Sequence, residues 1–333
     1  MNDKNLAFEI IQDSGIPKYR QLVNAVNDAI ANHIISIGEL LPSVNNLCQR
    51  HGLSRDTVFK AYSILKEQGV IESVPNKGYY VARDTRKILL VLDTFKAYKE
   101  VLYHSFVNNL PDNFITDVQF HHYNIENFKT IVQNSKGQYF KYIIMPFEHK
   151  EVPAILTAIQ SDKLLLVDWN IHGKIHNNYV YQDFGVSFYE TLKEVIPLFK
   201  KYKEIHFVYP TFTNHPSESV TFFEKFCKDF AFTFKIITNP NEFSIKKHVA
   251  YISVSDRMLG NFLEQCRVKD FEPGVDVGIL SYNETPMKKF IYKGITVVST
   301  DFKELGTKAA EFVKKGIPIR YYVPTKLLLR DSL

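Results

Sequence analysis

The sequence predicts a mixed α/β chain built from two unlike domains, and three observations carry that expectation. The first eighty-odd residues read as helices followed by a hairpin. From Ile88 onward, short buried-type strands alternate with helices, the grammar of parallel sheets covered on both faces. The 333 residues suffice for about two domains at ~150 residues each. With 45% apolar and 23% charged residues, the chain is ordinary for folded soluble protein, which excludes wholesale disorder.

Each element of the first segment has a local cause. Tyr19, Leu22, Val23, Val26, Ile30 and Ile34 recur at helical spacing, so a helix is expected over 18–36, with Pro17 in its first turn and Gly38 beyond its end. Ser43 suits the N-cap of a second short helix that turns Val44, Leu47 and Cys48 inward. His51-Gly52-Leu53 is a tight turn. Ser54 then caps a third helix, with Val58, Ala61, Tyr62 and Leu65 buried and Gly69 as its stop. Val70–Val74, the turn Pro75-Asn76-Lys77-Gly78, and Tyr79–Val81 form a two-stranded wing. This order is a winged helix-turn-helix. The expected domain covers 1–82, and a basic linker covers 83–87.

The rest, 88–333, is expected to hold strands at Ile88–Asp93, Val118–Tyr123, Tyr142–Pro146, Leu164–Asp168, Ile205–Tyr209, Phe232–Thr238, His248–Val254, Val277–Tyr282 and Ile295–Ser299. Helices fall around 96–110, 125–135, 152–160, 187–200, 217–230, 258–265 and 305–315. So many strands exceed one small doubly wound unit, so two lobes are expected.

Several function classes drop out. No apolar run reaches the ~18–20 residues that span a bilayer, so no membrane partner is expected. Cys48, Cys227 and Cys266 are few, odd in number and dispersed, which fits a reducing cytoplasm. No Walker-type loop or nucleophile elbow appears, so no enzyme and no cofactor are expected. His172 and His176 stand four apart, but Gly173 and the polar surroundings read as a loop, so no metal site is expected. The formal net charge of +5 permits a nucleic-acid partner.

The third helix opens Ser54-Arg55-Asp56-Thr57-Val58, the end that a recognition helix presents to base edges. Arg55 can grip guanine O6 and N7. Ser54 and Thr57 can hold phosphate, and Lys60 can reach it one turn on. Lys77 and Gly78 at the wing tip combine charge with close approach to a minor groove.

Residues 17–81 resemble the GntR family DNA-binding domain. The matching stretches are Pro17–Leu22, Gly38-Glu39-Leu40-Leu41-Pro42-Ser43, Leu53–Val58, Leu65-Lys66-Glu67-Gln68-Gly69-Val70-Ile71, and the wing Lys77-Gly78-Tyr79-Tyr80-Val81. The resemblance implies a homodimeric regulator on a pseudo-palindromic double-stranded operator, with Ser43 and Asn45 joining the DNA-contacting set. The family commonly has arginine where Asn45 stands; asparagine can read adenine instead.

Residues 88–333 resemble the effector domain of LacI-type repressors, a two-lobed periplasmic-binding-protein-like fold. The stretches are Asp276-Val277-Gly278-Ile279-Leu280-Ser281-Tyr282-Asn283-Glu284, Ile295–Asp301, Leu305-Gly306-Thr307-Lys308-Ala309-Ala310, and Val323–Ser332. The resemblance implies a small effector, usually a sugar, between hinged lobes. Ligands of open parallel sheets sit beyond the carboxyl ends of strands. Reading those ends gives Phe95, Phe147, Asp168, Trp169, Asp183, Tyr209, Asp256, Arg257, Asn283 and Glu284 as effector-binding candidates. Carboxylates and amides grip hydroxyls, and aromatic faces cover a sugar's C–H side. No arginine stands between Arg86 and Arg257, which favours a neutral monosaccharide over an anionic one. The expected function is a ligand-responsive repressor of a carbohydrate-utilisation operon. The competing readings are a C-terminal domain that only dimerises, and an enzyme tethered to a DNA-binding head.

Overall fold

The computed structural model describes residues 9–11, 14–82, 86–170 and 178–333, and the chain divides into two compact units. In the first unit, α1 (Lys18–Ala31), α2 (Val44–His51) and α3 (Arg55–Glu67) precede the antiparallel pair β1 (Ile71–Val74) and β2 (Gly78–Val81). Leu22, Val26, Leu47, Val58, Tyr62 and Leu65 share its core. The Tyr62 hydroxyl donates to the Pro42 carbonyl at 2.7 Å, tying α3 to the approach to α2. Ser43 Oγ accepts from the Asn46 N–H and Ser54 Oγ from the Thr57 N–H, so both expected caps are present.

One expectation about α1 is corrected. The helix stops at Ala31, and Ile34 is 53% exposed. His33 adopts a left-handed φ of 56°, and the N–H groups of Ile34 and Ile35 both donate to the Ala29 carbonyl. That turn carries Ile35, at 3% exposure, into the core. The apolar period pointed one residue too early.

The second unit begins with β3 (Arg86–Leu92), α4 (Ala97–Asn108), β4 (Phe114–Phe120), α5 (Ile125–Ser135), β5 (Lys141–Ile144), α6 (Val152–Leu156), β6 (Leu164–Asp168) and β7 (Tyr179–Gln182). There follow α7 (Val186–Glu194), α8 (Ile196–Phe199), β8 (Glu204–Val208), α9 (Glu218–Asp229), β9 (Phe234–Ile237), β10 (Val249–Ser253), α10 (Asp256–Lys269), β11 (Gly278–Tyr282) and β12 (Thr296–Thr300). The last elements are α11 (Phe302–Lys315), β13 (Arg320–Val323) and β14 (Thr325–Leu328). The strands make two six-stranded sheets, one per lobe. Their orders are β13-β7-β6-β5-β3-β4 and β14-β12-β11-β10-β8-β9. β14 runs antiparallel to β12, whereas β12, β11, β10, β8 and β9 are mutually parallel neighbours.

The chain crosses between sheets after β7, after β12 and between β13 and β14. Side chains knit these crossings together. Thr300 Oγ1 donates to Gln182 Oε1 at 2.6 Å, and Thr325 Oγ1 donates to the Asp183 carbonyl at 3.1 Å. α11 follows a strand of the second lobe yet lies on α4 of the first. Gly306 makes this approach possible: its Cα faces the Leu102 backbone with no room for a Cβ.

Local differences from the sequence reading have plain causes. The strand expected at Val118–Tyr123 is Phe114–Phe120, because His122 and Tyr123 both turn to positive φ. The helix expected over 187–200 breaks into α7 and α8, with Pro197 in the first turn of α8. The four-residue strands β7 and β13 were not among those expected. Arg86 and Lys87, assigned to the linker, open β3; Arg83, Asp84 and Thr85 lie outside the described residues. His172 and His176 lie outside them too.

Candidate functional site

In the first unit, the outer face of α3 presents Arg55, Asp56, Phe59, Lys60 and Ser63 to solvent, while Val58, Ala61, Tyr62 and Leu65 face the core. Arg55 is therefore free to project from the first turn. Ser54 and Thr57 are partly committed to each other, their hydroxyls 2.8 Å apart. Their place at the helix N-terminus still leaves backbone N–H groups and the positive end of the helix dipole for a phosphate. Lys60 turns back, its ammonium 4.1 Å from the centre of the Tyr19 ring on α1. Asn45 is exposed on α2, and Ser43 is spent as its cap. Lys77 is exposed at the wing turn, where Asn76 and Gly78 both take positive φ. At Gly78, a Cβ would also crowd Leu40 at 3.1 Å.

In the second unit, the carboxyl ends of both sheets converge on an inner cavity of about 130 Å³. Of the ten effector candidates, Asp168, Trp169 and Asn283 line it. Trp169 and Phe184 also border an outer cavity of about 550 Å³ that includes Glu148, Lys150 and Glu218.

The other candidates have other employment. Phe147 is 5% exposed and stacked on His121, inside the core of the first lobe. Phe95 is 52% exposed, edge-on to Tyr103 and Phe120. Asp183 accepts from the Gly185 and Ser187 N–H groups, both at 3.0 Å, and so fixes the turn into α7 at a crossing. The Tyr209 hydroxyl donates to the His215 carbonyl, holding that loop. Asp256 pairs with buried Lys288 at 2.8 Å. Arg257 lies over the Phe212 ring, 5.0 Å from its centre. Glu284 pairs with Arg330 at 2.8 Å.

The polar floor of the cavity consists mostly of residues that strand-end reading passed over. Asp93, at the end of β3, is 2% exposed and accepts from Lys99 Nζ and the Tyr123 hydroxyl. Strand-end reading points instead to Phe95, two residues further on. Asp168, 3% exposed, accepts from Gln182 Nε2, whose own oxygen receives Thr300. Burial pushes the Asp168 carboxyl upward, opposed by Lys99 and by the Gln182 hydrogen bond. Burial lowers the Lys99 ammonium to about 8, with Asp168 pulling the other way. Lys96 adds an exposed ammonium at the rim. Two carboxylates thus face two ammonium groups, and no arginine lines the inner cavity among the described residues.

His215 completes the wall. Its ring meets Tyr282 at 4.4 Å and Phe184 at 5.1 Å, and its Nε2 is buried without a hydrogen-bond partner. An orphaned ring nitrogen beside a polar cavity is a position where a ligand hydroxyl would be satisfied. Nothing periodic in the sequence marks His215, because it stands in an irregular loop.

Burial holds His215 at about 3 and His121 at about 4, far below the ordinary histidine value. In the unfolded chain both take up protons first, near pH 6.5, so their linkage to stability is positive in pH. Stability is full above pH 6.5 and is expected to fall as pH drops toward 4, at up to about 1.4 kcal/mol per pH unit for each histidine. Urea unfolding at pH 7, 6 and 5 checks this. A His215→Gln variant should show a flatter slope than the parent; an unchanged slope would remove His215 from the account.

Residues 18–81 match the model of the gntR family of bacterial regulatory proteins. The uncharacterized HTH-type transcriptional regulator YdcR of Escherichia coli is 39% identical over 71 residues, 21% of this chain and 15% of that protein. The HTH-type transcriptional repressor YtrA of Bacillus subtilis is 30% identical over 83 residues, 25% of this chain and 64% of that protein. The mannosyl-D-glycerate transport/metabolism system repressor MngR of Escherichia coli is 35% identical over 68 residues, 20% of this chain and 28% of that one. The similarity thus spans only a minor part of the first of these relatives.

Among solved structures, the trehalose repressor from Escherichia coli superposes with a TM-score of 0.63 at 12% identity, covering 73% of this chain and 99% of that one. A LacI family regulator from Arthrobacter sp. FB24, in complex with lactose, gives 0.61 at 12% identity, covering 74% and 99%. The N-terminal unit is a GntR-type winged helix-turn-helix domain, and the C-terminal unit has the two-lobed fold of LacI-type repressors.

Proposed function

We propose that a GntR-type DNA-binding domain and a LacI-like ligand-binding domain act here as one ligand-responsive transcription regulator. In this reading the chain is a repressor of a carbohydrate-utilisation operon, and the effector is a small neutral sugar. The observation that carries the reading is the inner cavity. It lies where both sheets end, offers two carboxylates, two ammonium groups, three amides and an unsatisfied imidazole, and has Trp169 and Phe184 as apolar walls. A neutral polyhydroxylated ring matches that balance, since hydroxyls both donate and accept and the walls cover its C–H face. An anion would meet Asp93 and Asp168 with no guanidinium fork to receive it. Two structural neighbours of the second unit add weight: one is titled a trehalose repressor and another is in complex with lactose, both neutral sugars.

A homodimer places two α3 helices in successive major grooves, about one helical turn apart. The sugar shifts operator affinity only by binding the two lobe arrangements unequally, and a coupling of ~1–3 kcal/mol is typical. The three crossings, held by Gln182, Thr300 and Thr325, are the segments that lobe closure has to bend.

A thermal-shift screen tests the reading, with neutral sugars, sugar phosphates, nucleosides and amino acids as ligands and Trp169 fluorescence as second readout. A neutral sugar at 100 times its dissociation constant is expected to add ~2.7 kcal/mol of stability. The Asp168→Asn variant should need far more sugar for the same shift. Stabilisation by a phosphorylated sugar, with none by the free sugar, would overturn the choice of ligand. Silence across every class would instead favour a C-terminal unit that only dimerises.

A further inference from the structure

We infer that Phe59 reads the 5-methyl group of a thymine in the operator half-site. The inference rests on the DNA-binding reading above and adds a base preference that no arginine or amide on α3 supplies. Phe59 is 43% exposed and is not part of the core cluster of its domain. It stands four residues after Arg55 on the same face of α3, so the two side chains are neighbours at ~5–6 Å between Cβ atoms. The exposed stripe on this half of α3 therefore runs from a guanidinium to a phenyl ring. Lys60, the other long side chain here, is drawn aside to the Tyr19 ring.

An exposed aromatic is unremarkable on most surfaces. On this face, the groove floor offers one apolar feature, the thymine methyl, and phenylalanine is among the side chains that contact it. The Arg55–Phe59 spacing sets where the thymine must lie. One helical turn of side-chain separation spans one to two base-pair steps of ~3.4 Å. The thymine is therefore within two base pairs of the guanine that needs Arg55.

The test starts from an operator enriched by the full-length protein from a random duplex library. Each thymine is then replaced in turn by deoxyuridine, which deletes the methyl and leaves every donor and acceptor in place. One position per half-site should weaken binding about four-fold, and both together about fifteen-fold, the scale of losing one buried methyl per site. That position should lie within two base pairs of a guanine whose 7-deaza analogue is discriminated by the parent but not by Arg55→Ala. Phe59→Ala should bind the thymine and deoxyuridine operators equally, while Phe59→Leu keeps part of the difference and guards against a folding artefact.

A parent protein indifferent to every deoxyuridine substitution would overturn the inference without any variant. So would a Phe59→Ala protein that retains the full thymine preference, or one that loses dimer assembly and keeps that preference per subunit. If the library yields no enriched sequence, the sequence-specific reading falls together with it. Guanine discrimination by Arg55 without methyl sensitivity would spare that reading and sink this one.

Discussion

Arg55→Ala is expected to lower operator affinity about a thousand-fold while leaving ligand binding unchanged. A bidentate arginine–guanine contact contributes ~1–3 kcal/mol of discrimination, and a dimer makes it twice. The residue is exposed on the first turn of α3 beside the Ser54 cap, so truncation removes nothing from the core. Titrations of enriched operator and of scrambled duplex, each at two salt concentrations, separate the possible roles. A base-reading Arg55 shows as a collapse of the specific-to-scrambled ratio at nearly constant salt slope. A phosphate-holding Arg55 would weaken both duplexes alike and reduce the slope by about one counterion per contact. The thermal shift with sugar serves as the control, since it reports the second unit alone.

Lys99→Met is expected to cost the second unit about 3–5 kcal/mol of stability. The ammonium is 1% exposed and sits between Asp93, which it contacts, and Asp168. Its removal leaves two buried carboxylates without their ammonium, and breaking one side of a buried pair carries a penalty of that size. Adding Asp93→Asn should recover part of the loss, because the double variant buries one uncompensated carboxylate, Asp168, in place of two. Urea unfolding of the two single variants and the double variant closes the cycle. If the double variant is as unstable as Lys99→Met alone, the damage comes from lost packing of the lysine stem and not from charge. The same variants should lose sugar-dependent stabilisation, because Asp93 lies at the floor of the cavity.

How much of this was legible in the sequence depended on whether a residue's role is local. The caps at Ser43 and Ser54, the core face of α3 and the wing are set by neighbours a few positions away, and the structure has them where the pattern put them. The two-lobed alternation was readable for the same reason. The cavity was not. Asp168, Trp169 and Asn283 were legible as cavity residues because they end or directly follow strands whose apolar runs are unmistakable. Asp93 directly follows β3, but nothing local distinguishes it from the next residues, and Phe95 with its aromatic ring is the more conspicuous candidate. Gln182 follows from β7, a four-residue strand rich in tyrosine that carries no distinct signal. Lys99 looks like any surface lysine of a helix until the fold presses it against Asp93. His215 depends on a loop whose path Tyr209 and Tyr282 decide in three dimensions. Strand-end reasoning also overreached: Phe147 follows a strand but points into the lobe's own core.

The placement of α11 has a consequence for the order in which the protein can be made. The first lobe's helix α4 is covered by a segment that the ribosome reaches only after the second lobe's strands β8 to β12, and β13 fills an edge of the first sheet later still. During synthesis, α4 and the free side of β7 wait with apolar surface uncovered while more than a hundred further residues emerge, roughly ten seconds or more at ordinary elongation rates. The lobe that begins first is thus completed only just ahead of the second, whose edge strand β14 comes last. Its interval of exposure is set by the rate of translation across the second lobe, which makes nascent chains, more than the finished protein, the form that depends on chaperones.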